Sequence, residues 1–490
     1  MKLKKITFFL GPIAAIIMVF FPPPGGMPVA AWRTAATGVW MAIWWLSEAI
    51  PMSATALLPI VLFPLFGIGS IGDATKPYAN PLIFLFMGGF LIATTMQRWN
   101  LHRRIALNII NIMGTRPQGI LWGVIISCAF LSMWVSNTAT ALMMLPIGTS
   151  IITLANESAD EEMKKKLANF EILLIISIAF ACNIGGMGTI IGTPPNALLV
   201  GVINQNYHHE ISFIDWMKVG IPIVIVSLPL MYLILTKWVF PLQLKELPGG
   251  REFLIRQMDS MGRMSLSEKK VAVVFGIAAL FWIFRPLLSK LIPGLSDAGI
   301  AILAGLLLFV IPVNFKGHIF LLDWDHARSI PWGILLLFGG GLSLAEEIEQ
   351  SGLADWIGKA VGGLSHWPIL LLVVMVILVT VILTQLASNT GTAAAFLPVF
   401  ASVAVGIHQN PLLLAVPATF AASCAFMLPV STPPNAIVYS SERISIQQMA
   451  RAGLWLNILF VILITVAIFG LMNIALGVHV GQLPAWVSLN

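Results

Sequence analysis

Charge is what this sequence has least of. Only 10% of its 490 residues are Asp, Glu, Lys or Arg, where a soluble domain carries about 25%. Hydrophobic residues make up 58% and the mean hydropathy is +0.92. That shortage excludes a soluble enzyme, a nucleic-acid-binding protein and a disordered chain. Cysteine is nearly missing as well. The three present, Cys128, Cys182 and Cys424, lie inside apolar runs with no metal-ligand spacing. They exclude a disulfide scaffold and read as small buried residues. No polar stretch is long enough to fold as a soluble domain of about 100 residues. No phosphate-binding glycine loop occurs, so the chain is not an ATP-driven pump by itself. No catalytic carboxylate pair, metal cluster or nucleophile–base pair stands out, so the expectation is a protein that is not an enzyme.

What the sequence does have is apolar runs of bilayer-crossing length, about 20 residues each. They fall at about 6–21, 31–50, 53–68, 80–97, 172–203, 218–238, 270–287, 296–314, 330–348, 411–438 and 453–476. The expectation is an all-α polytopic membrane protein with eleven crossings. Two further apolar pairs, 118–154 and 367–404, are expected to be re-entrant helical hairpins. The start, Met1-Lys2-Leu3-Lys4-Lys5 before an apolar stretch, imitates a signal peptide. Pro22-Pro23-Pro24-Gly25-Gly26 follows it with no small-residue cleavage site, so an uncleaved first span is expected. Basic residues exceed acidic ones by 27 to 21, for a net charge of +6. With the N-terminus inside and each hairpin returning to its own side, 21 of the 27 basic residues fall inside and six outside. That is the asymmetry expected of a multi-pass protein of the cell inner (plasma) membrane, with its N-terminus cytoplasmic and its C-terminus outside.

The longest polar stretch, centred on Pro248-Gly249-Gly250, divides the chain. Residues 1–240 and 270–490 then form two repeats joined by a cytoplasmic linker, 241–269. At an offset of 252, Gly88-Gly89 falls on Gly340-Gly341, Leu101 on Leu353, Ser136-Asn137-Thr138 on Ser388-Asn389-Thr390, and Leu145-Pro146 on Leu397-Pro398. Further on, Thr193-Pro194-Pro195-Asn196 falls on Thr432-Pro433-Pro434-Asn435 at an offset of 239. Polar motifs recurring in one order make an internal repeat. The first hairpin enters from inside and the second from outside, so the repeat is inverted, as in many secondary transporters.

Each copy carries two interruptions. Ser-Asn-Thr is a poor helix interior and a good helix start, so it marks a hairpin tip within an apolar stretch. Gly185-Gly186-Met187-Gly188-Thr189 followed by Gly192-Thr193-Pro194-Pro195-Asn196 should stop a helix near Gly185 and restart it near Pro194. A simple kink needs one proline, and this motif has two. Ser431-Thr432-Pro433-Pro434-Asn435 repeats the break in the run 411–438. Non-helical backbone at membrane depth is tolerated where it lines a cavity or is buried in protein. Helix starts there attract anions, and unwound carbonyls suit a small hard cation. No Lys, Arg, Asp or Glu occurs within 119–155, 172–203, 367–404 or 411–438. An anion would therefore be held by amides, hydroxyls, helix ends and co-bound cations. The lack of a carboxylate or histidine relay in these segments favours Na⁺ coupling or exchange over H⁺ coupling. Glu48, His208, His209 and the charged loop from Glu157 to Lys166 read as structural or solvated.

Two Ser-Asn-Thr tips and two Thr-Pro-Pro-Asn breaks in an inverted repeat resemble the divalent anion/sodium symporter family. The resemblance extends over the whole chain, including Ser47-Glu48-Ala49-Ile50-Pro51 and Met427-Leu428-Pro429-Val430 before the second break. It implies a homodimer with a scaffold and a transport domain that moves like an elevator. It implies a first Na⁺ site at Ser132, Ser136, Asn137 and Gly192, and a second at Thr384, Ala387, Asn389 and Ser431. It places the anion against Ser136, Asn137, Thr138, Thr193, Pro194, Ser388, Asn389, Thr390, Thr432 and Pro433. The halves differ where Gly391 stands opposite Ala139 and Ser431 opposite Gly192. Members with two Ser-Asn-Thr tips tend to take dicarboxylates, so the expected activity is Na⁺-coupled symport of a C4-dicarboxylate such as succinate, malate or fumarate. A Na⁺-independent dicarboxylate exchanger, a carrier of citrate or sulfate, and the membrane subunit of an arsenite-type extrusion pump are the alternatives.

Overall fold

The computed structural model describes residues 2–157 and 159–487, and they are almost entirely helical. The strands among them are the short antiparallel pair Pro312–Asn314 and Ile319–Phe320. Local chemistry sets many helix starts. Asp160 accepts from the Met163 amide at 2.8 Å and opens Glu161–Gly186. Ser265 and Glu268 form a capping box that opens Leu266–Leu288, and Ser445 with Gln448 does the same for Ile446–Leu476. Proline occupies the first turn of Pro81–Arg98, Pro117–Ser132, Pro194–Tyr207 and Pro433–Tyr439, where its missing N–H costs nothing.

Eight helices among the described residues are long and apolar enough to cross a membrane, and four shorter ones are apolar. Three of the eight, Asn137–Glu157, Ile369–Leu386 and Asn389–Gly406, are arms of the expected hairpins, so the eight are not a count of crossings. Lys2–Phe20 and Val29–Ser47 form where the first two spans are expected. The run 53–68 is not one helix. It divides into Met52–Thr55 and Leu58–Phe66, with Pro59 in the second turn-start and Pro64 inside. Three α-helices of eight residues or more lie where no apolar run announces them: Leu101–Met113, Gly250–Met261 within the polar linker, and Leu353–Ala360.

The same succession occurs twice: a long helix, a short amphipathic one, a hairpin, a broken helix and a final long helix. Even the details recur. Asn100 (φ 56°) and Gly352 (φ 79°), 252 residues apart, each turn left-handed to start the amphipathic helix. Glu161–Gly186 runs through the centre, buried on every side from Ile172 to Gly186. Leu266–Leu288 and Ile446–Leu476 lie at the periphery. Val273, Ile277, Phe284 and Leu287 form an exposed apolar stripe on the first, and Ile458, Ile462 and Val466 on the second. That spacing of three to four is the signature of a helix showing one apolar face outward, here the face for lipid.

Candidate functional site

The first hairpin descends as Pro117–Ser132 and returns as Asn137–Glu157. Ser136 closes the tip by accepting from the Ala139 amide at 3.2 Å. The second descends as Ile369–Leu386 and returns as Asn389–Gly406, with Ser388 in extended conformation at the cap and its hydroxyl unused by the helix. Both breaks form as the glycines and prolines dictate. One helix ends at Gly186, a turn spans Ile190–Gly192, and Pro194–Tyr207 restarts. The other ends at Ala422, a turn spans Pro429–Ser431, and Pro433–Tyr439 restarts.

All four interruptions meet at one cavity of about 350 Å³. Ser136, Asn137, Thr138, Thr193, Pro194, Ser388, Asn389, Thr390, Thr432 and Pro433, the ten residues expected to touch an anion, all line it. Its remaining wall includes Met52, Ser53, Phe86, Phe90, Pro331 and Leu337, and none of its lining residues is charged. Four helices therefore begin at this cavity with the positive end of the dipole toward it, and the two hairpin starts at Asn137 and Asn389, which carry no proline, also present unpaired N–H groups. Thr432 uses its hydroxyl to cap its own helix, accepting from the Asn435 amide, while Thr193 makes no such bond.

The expected cation residues divide between the wall and the layer behind it. Ser136, Asn137, Gly192, Asn389 and Ser431 line the cavity. Ser132, Thr384 and Ala387 are buried and lie outside its lining. In the first half, the end of the Asn137 amide meets the Ser132 hydroxyl and lies 3.2 Å from the Cys182 carbonyl oxygen and 3.3 Å from that of Gly192. With its oxygen turned this way the amide completes a cluster of four oxygens. With its nitrogen turned this way it donates to the two carbonyls. A cation selects the first arrangement. Gly186 makes the approach possible, because a Cβ there would stand 2.8 Å from the Asn137 Oδ1. In the second half, the single Thr384 hydroxyl proton faces two acceptors, Asn389 Oδ1 at 2.8 Å and the Ala422 carbonyl at 2.7 Å. One proton cannot satisfy both fully, so this too is an oxygen-rich corner suited to a hard cation. Ser431 donates to the Leu428 carbonyl at 2.6 Å beside it. No group of three His, Cys, Asp or Glu that could hold a metal occurs among the described residues.

Four amides structure the site, and two of them, Gln385 and Asn183, escaped the sequence reading. Asn196 donates to the Gly186 and Thr189 carbonyls at 3.0 and 2.7 Å, and Asn435 to those of Ala425 and Leu428 at 2.8 and 3.1 Å. The last residue of each Thr-Pro-Pro-Asn thus holds the unwound backbone ahead of it. Gln385 ties the second break to its hairpin through the Cys424 carbonyl and the Met427 amide. Asn183 reaches from the central helix to Thr432 and Asn435. Gln385 and Asn183 are amides in apolar runs, which was the available signal. Glu48 pairs with Lys4 at 3.6 Å, and His209 stacks on Trp486, both away from the cavity.

Comparison with known proteins agrees with this geometry. The family model described as sodium:sulfate symporter transmembrane region matches residues 3–476. The sodium-dependent dicarboxylate transporter SdcS of Staphylococcus aureus, from strains MRSA252 and NCTC 8325 among others, is 44% identical over 484 residues, covering 98% of this chain and 93% of the relative. Among solved structures, the Alcanivorax borkumensis YdaH transporter superposes with a TM-score of 0.61 at 12% identity over 89% of this chain and 99% of that one. Neisseria gonorrhoeae MtrF superposes with a TM-score of 0.54 at 11% identity over 96% and 95%. At such identities these two likenesses concern the fold alone. By sequence, matched nearly from end to end, the chain belongs to the sodium:sulfate symporter family, the divalent anion/sodium symporters that its tips and breaks resemble.

Proposed function

We propose that this protein is a secondary transporter that carries a C4-dicarboxylate across the plasma membrane together with Na⁺. One observation carries the reading: four helix starts and two hairpin asparagines converge on a cavity without a single charged side chain. Such a site favours a dianion through N–H groups, hydroxyls and helix ends, and it is completed by cations. The two oxygen-rich corners behind Asn137 and Asn389 are the places for them. Na⁺ bound there fixes each asparagine with its oxygen toward the ion and its N–H groups toward the cavity. The dianion then finds donors already oriented. The cavity volume falls within the range of small-molecule sites, about 300–1,000 Å³. The relative's name, a sodium-dependent dicarboxylate transporter, supports both the ion and the substrate class.

The inverted topology, with 1–240 and 270–490 as repeats, is supported by the twofold succession of elements and by the basic residues clustered on one side. Eleven crossings, two re-entrant hairpins, elevator-like movement and a homodimer complete the reading. Succinate uptake into proteoliposomes of the purified chain tests it, with an inward Na⁺ gradient or with choline in place of Na⁺. Uptake only with Na⁺ is the expected result. Equal uptake in choline, seen only with dicarboxylate preloaded inside, would make the protein an exchanger. Preference for citrate or sulfate over succinate as competitor would reassign the anion.

A further inference from the structure

Asn183 sits on the central helix directly after Cys182, whose carbonyl faces the Asn137 amide. The residue is 1% exposed and stands at the wall of the cavity. Its Nδ2 donates to the Thr432 hydroxyl and to Asn435 Oδ1, each at 3.3 Å. The direction of the second bond is forced. The Asn435 amide nitrogen is already committed to the Ala425 carbonyl, the Leu428 carbonyl and the Ser431 hydroxyl. Its oxygen can therefore only accept, and Asn183 must supply the proton.

The consequence is a continuous run of contacts from the first oxygen-rich corner to the second break, where Ser431 is an expected ligand of the second cation. It starts at Ser132 and Asn137, passes the Cys182 carbonyl to Asn183, crosses to Asn435, and ends at Ser431 in the second break. The bridge has no mirror image. At the offset of 239 that aligns the two breaks, position 183 falls on Ala422, whose side chain has no donor. One residue of the first half thus braces the ion-binding break of the second, with no reciprocal brace.

We propose that Asn183 is a positioning residue that couples the two Na⁺ sites. An ion at the first site pulls on the Cys182 carbonyl and fixes the end of the central helix. That holds the Asn183 N–H groups on Thr432 and Asn435, and so holds the second break in its ion-binding shape. Coupling of this kind is reciprocal, so occupation of either site strengthens the other. The inference rests on the Na⁺-coupled reading above.

The test is the Na⁺ dependence of succinate uptake in proteoliposomes of the full chain, for wild type and Asn183→Ala. Wild type should give a steep response, with a Hill coefficient of about 2 for two coupled sites. Asn183→Ala should bring it to about 1 and raise the half-saturating Na⁺ about three- to tenfold, the worth of one or two hydrogen bonds. If Asn183→Ala fails to reach the membrane, Asn183→Leu keeps about the same volume, removes both N–H groups without adding charge and carries the same expectation. A lower maximal rate with an unchanged Hill coefficient and half-saturation is what a purely structural role gives, and it would overturn the coupling alone. A flat response to Na⁺ in wild type would instead overturn the transport reading, and this inference with it.

Discussion

Asparagine does at the residue scale what charged side chains do in most anion carriers. Its amide offers an oxygen to an ion and N–H groups to an anion at once, without the cost of placing a formal charge inside a membrane. Asn137 and Asn389 stand between an oxygen-rich corner and the cavity, where the proposed function asks for both roles. Truncating either should hurt transport more than folding. A hydrogen bond to a charged partner is worth about 1.5–3 kcal/mol, so Asn137→Ala and Asn389→Ala should each weaken succinate binding roughly tenfold or more, with thermal unfolding little changed. Wild-type uptake by either variant would show that the tips are not the site. These two were legible in the sequence because each is a polar residue in an apolar run and appears twice. Asn183 was equally polar but appeared once, opposite Ala422, and a repeat comparison passes over what only one copy has. Asn196 and Asn435 were visible as the end of a motif, but their partners are backbone carbonyls, which no side-chain pattern announces.

At the scale of elements, the breaks followed from residue chemistry because proline and glycine act locally. The helix end at Gly186 and the restart at Pro194 needed no tertiary information. The run 53–68 misled for the opposite reason: its composition is apolar throughout, and Pro59 and Pro64 divide it all the same. Leu101–Met113 and Leu353–Ala360 were missed because one face of each is polar, and a search for wholly apolar runs skips an amphipathic helix. Gly186 offers a test of how closely hairpin and break must fit. Alanine is the better helix former by about 1 kcal/mol, so Gly186→Ala should not destabilise the helix it ends. Its methyl group would meet the Asn137 amide and the Gly192 carbonyl, 2.8 and 3.0 Å away. The expected outcome is a rise in the Na⁺ needed for uptake, with an unfolding temperature unchanged or modestly lower, because the helix gain offsets only part of an overpacking cost of about 1–3 kcal/mol. An unaltered Na⁺ response would mean that Asn137 does not need this approach.

For the whole molecule, the distribution of basic residues is what argues sidedness. Lys165 and Lys359 are exposed and, in the proposed topology, lie on opposite faces of the membrane. The native Cys128, Cys182 and Cys424 are fully buried, so single cysteines at Lys165→Cys and Lys359→Cys should report cleanly to an impermeant thiol reagent. Labelling of position 359 in intact cells, and of 165 only in inverted vesicles, is expected; labelling of both from one face would refute the inversion. The uncharged cavity wall also governs how membrane voltage acts on the carrier. In the elevator-like movement proposed above, the site brings no fixed charge of its own across the membrane, and the cargo it holds sets the sign of the charge carried there. A dianion with two sodium ions would cross silently, and a third sodium would make each turnover carry one positive charge, worth about 2.3 kcal/mol per 100 mV. A dianion travelling without its ions would be the one strongly charged load, facing the dielectric barrier alone, so leakage of substrate is opposed by electrostatics and needs no separate gate.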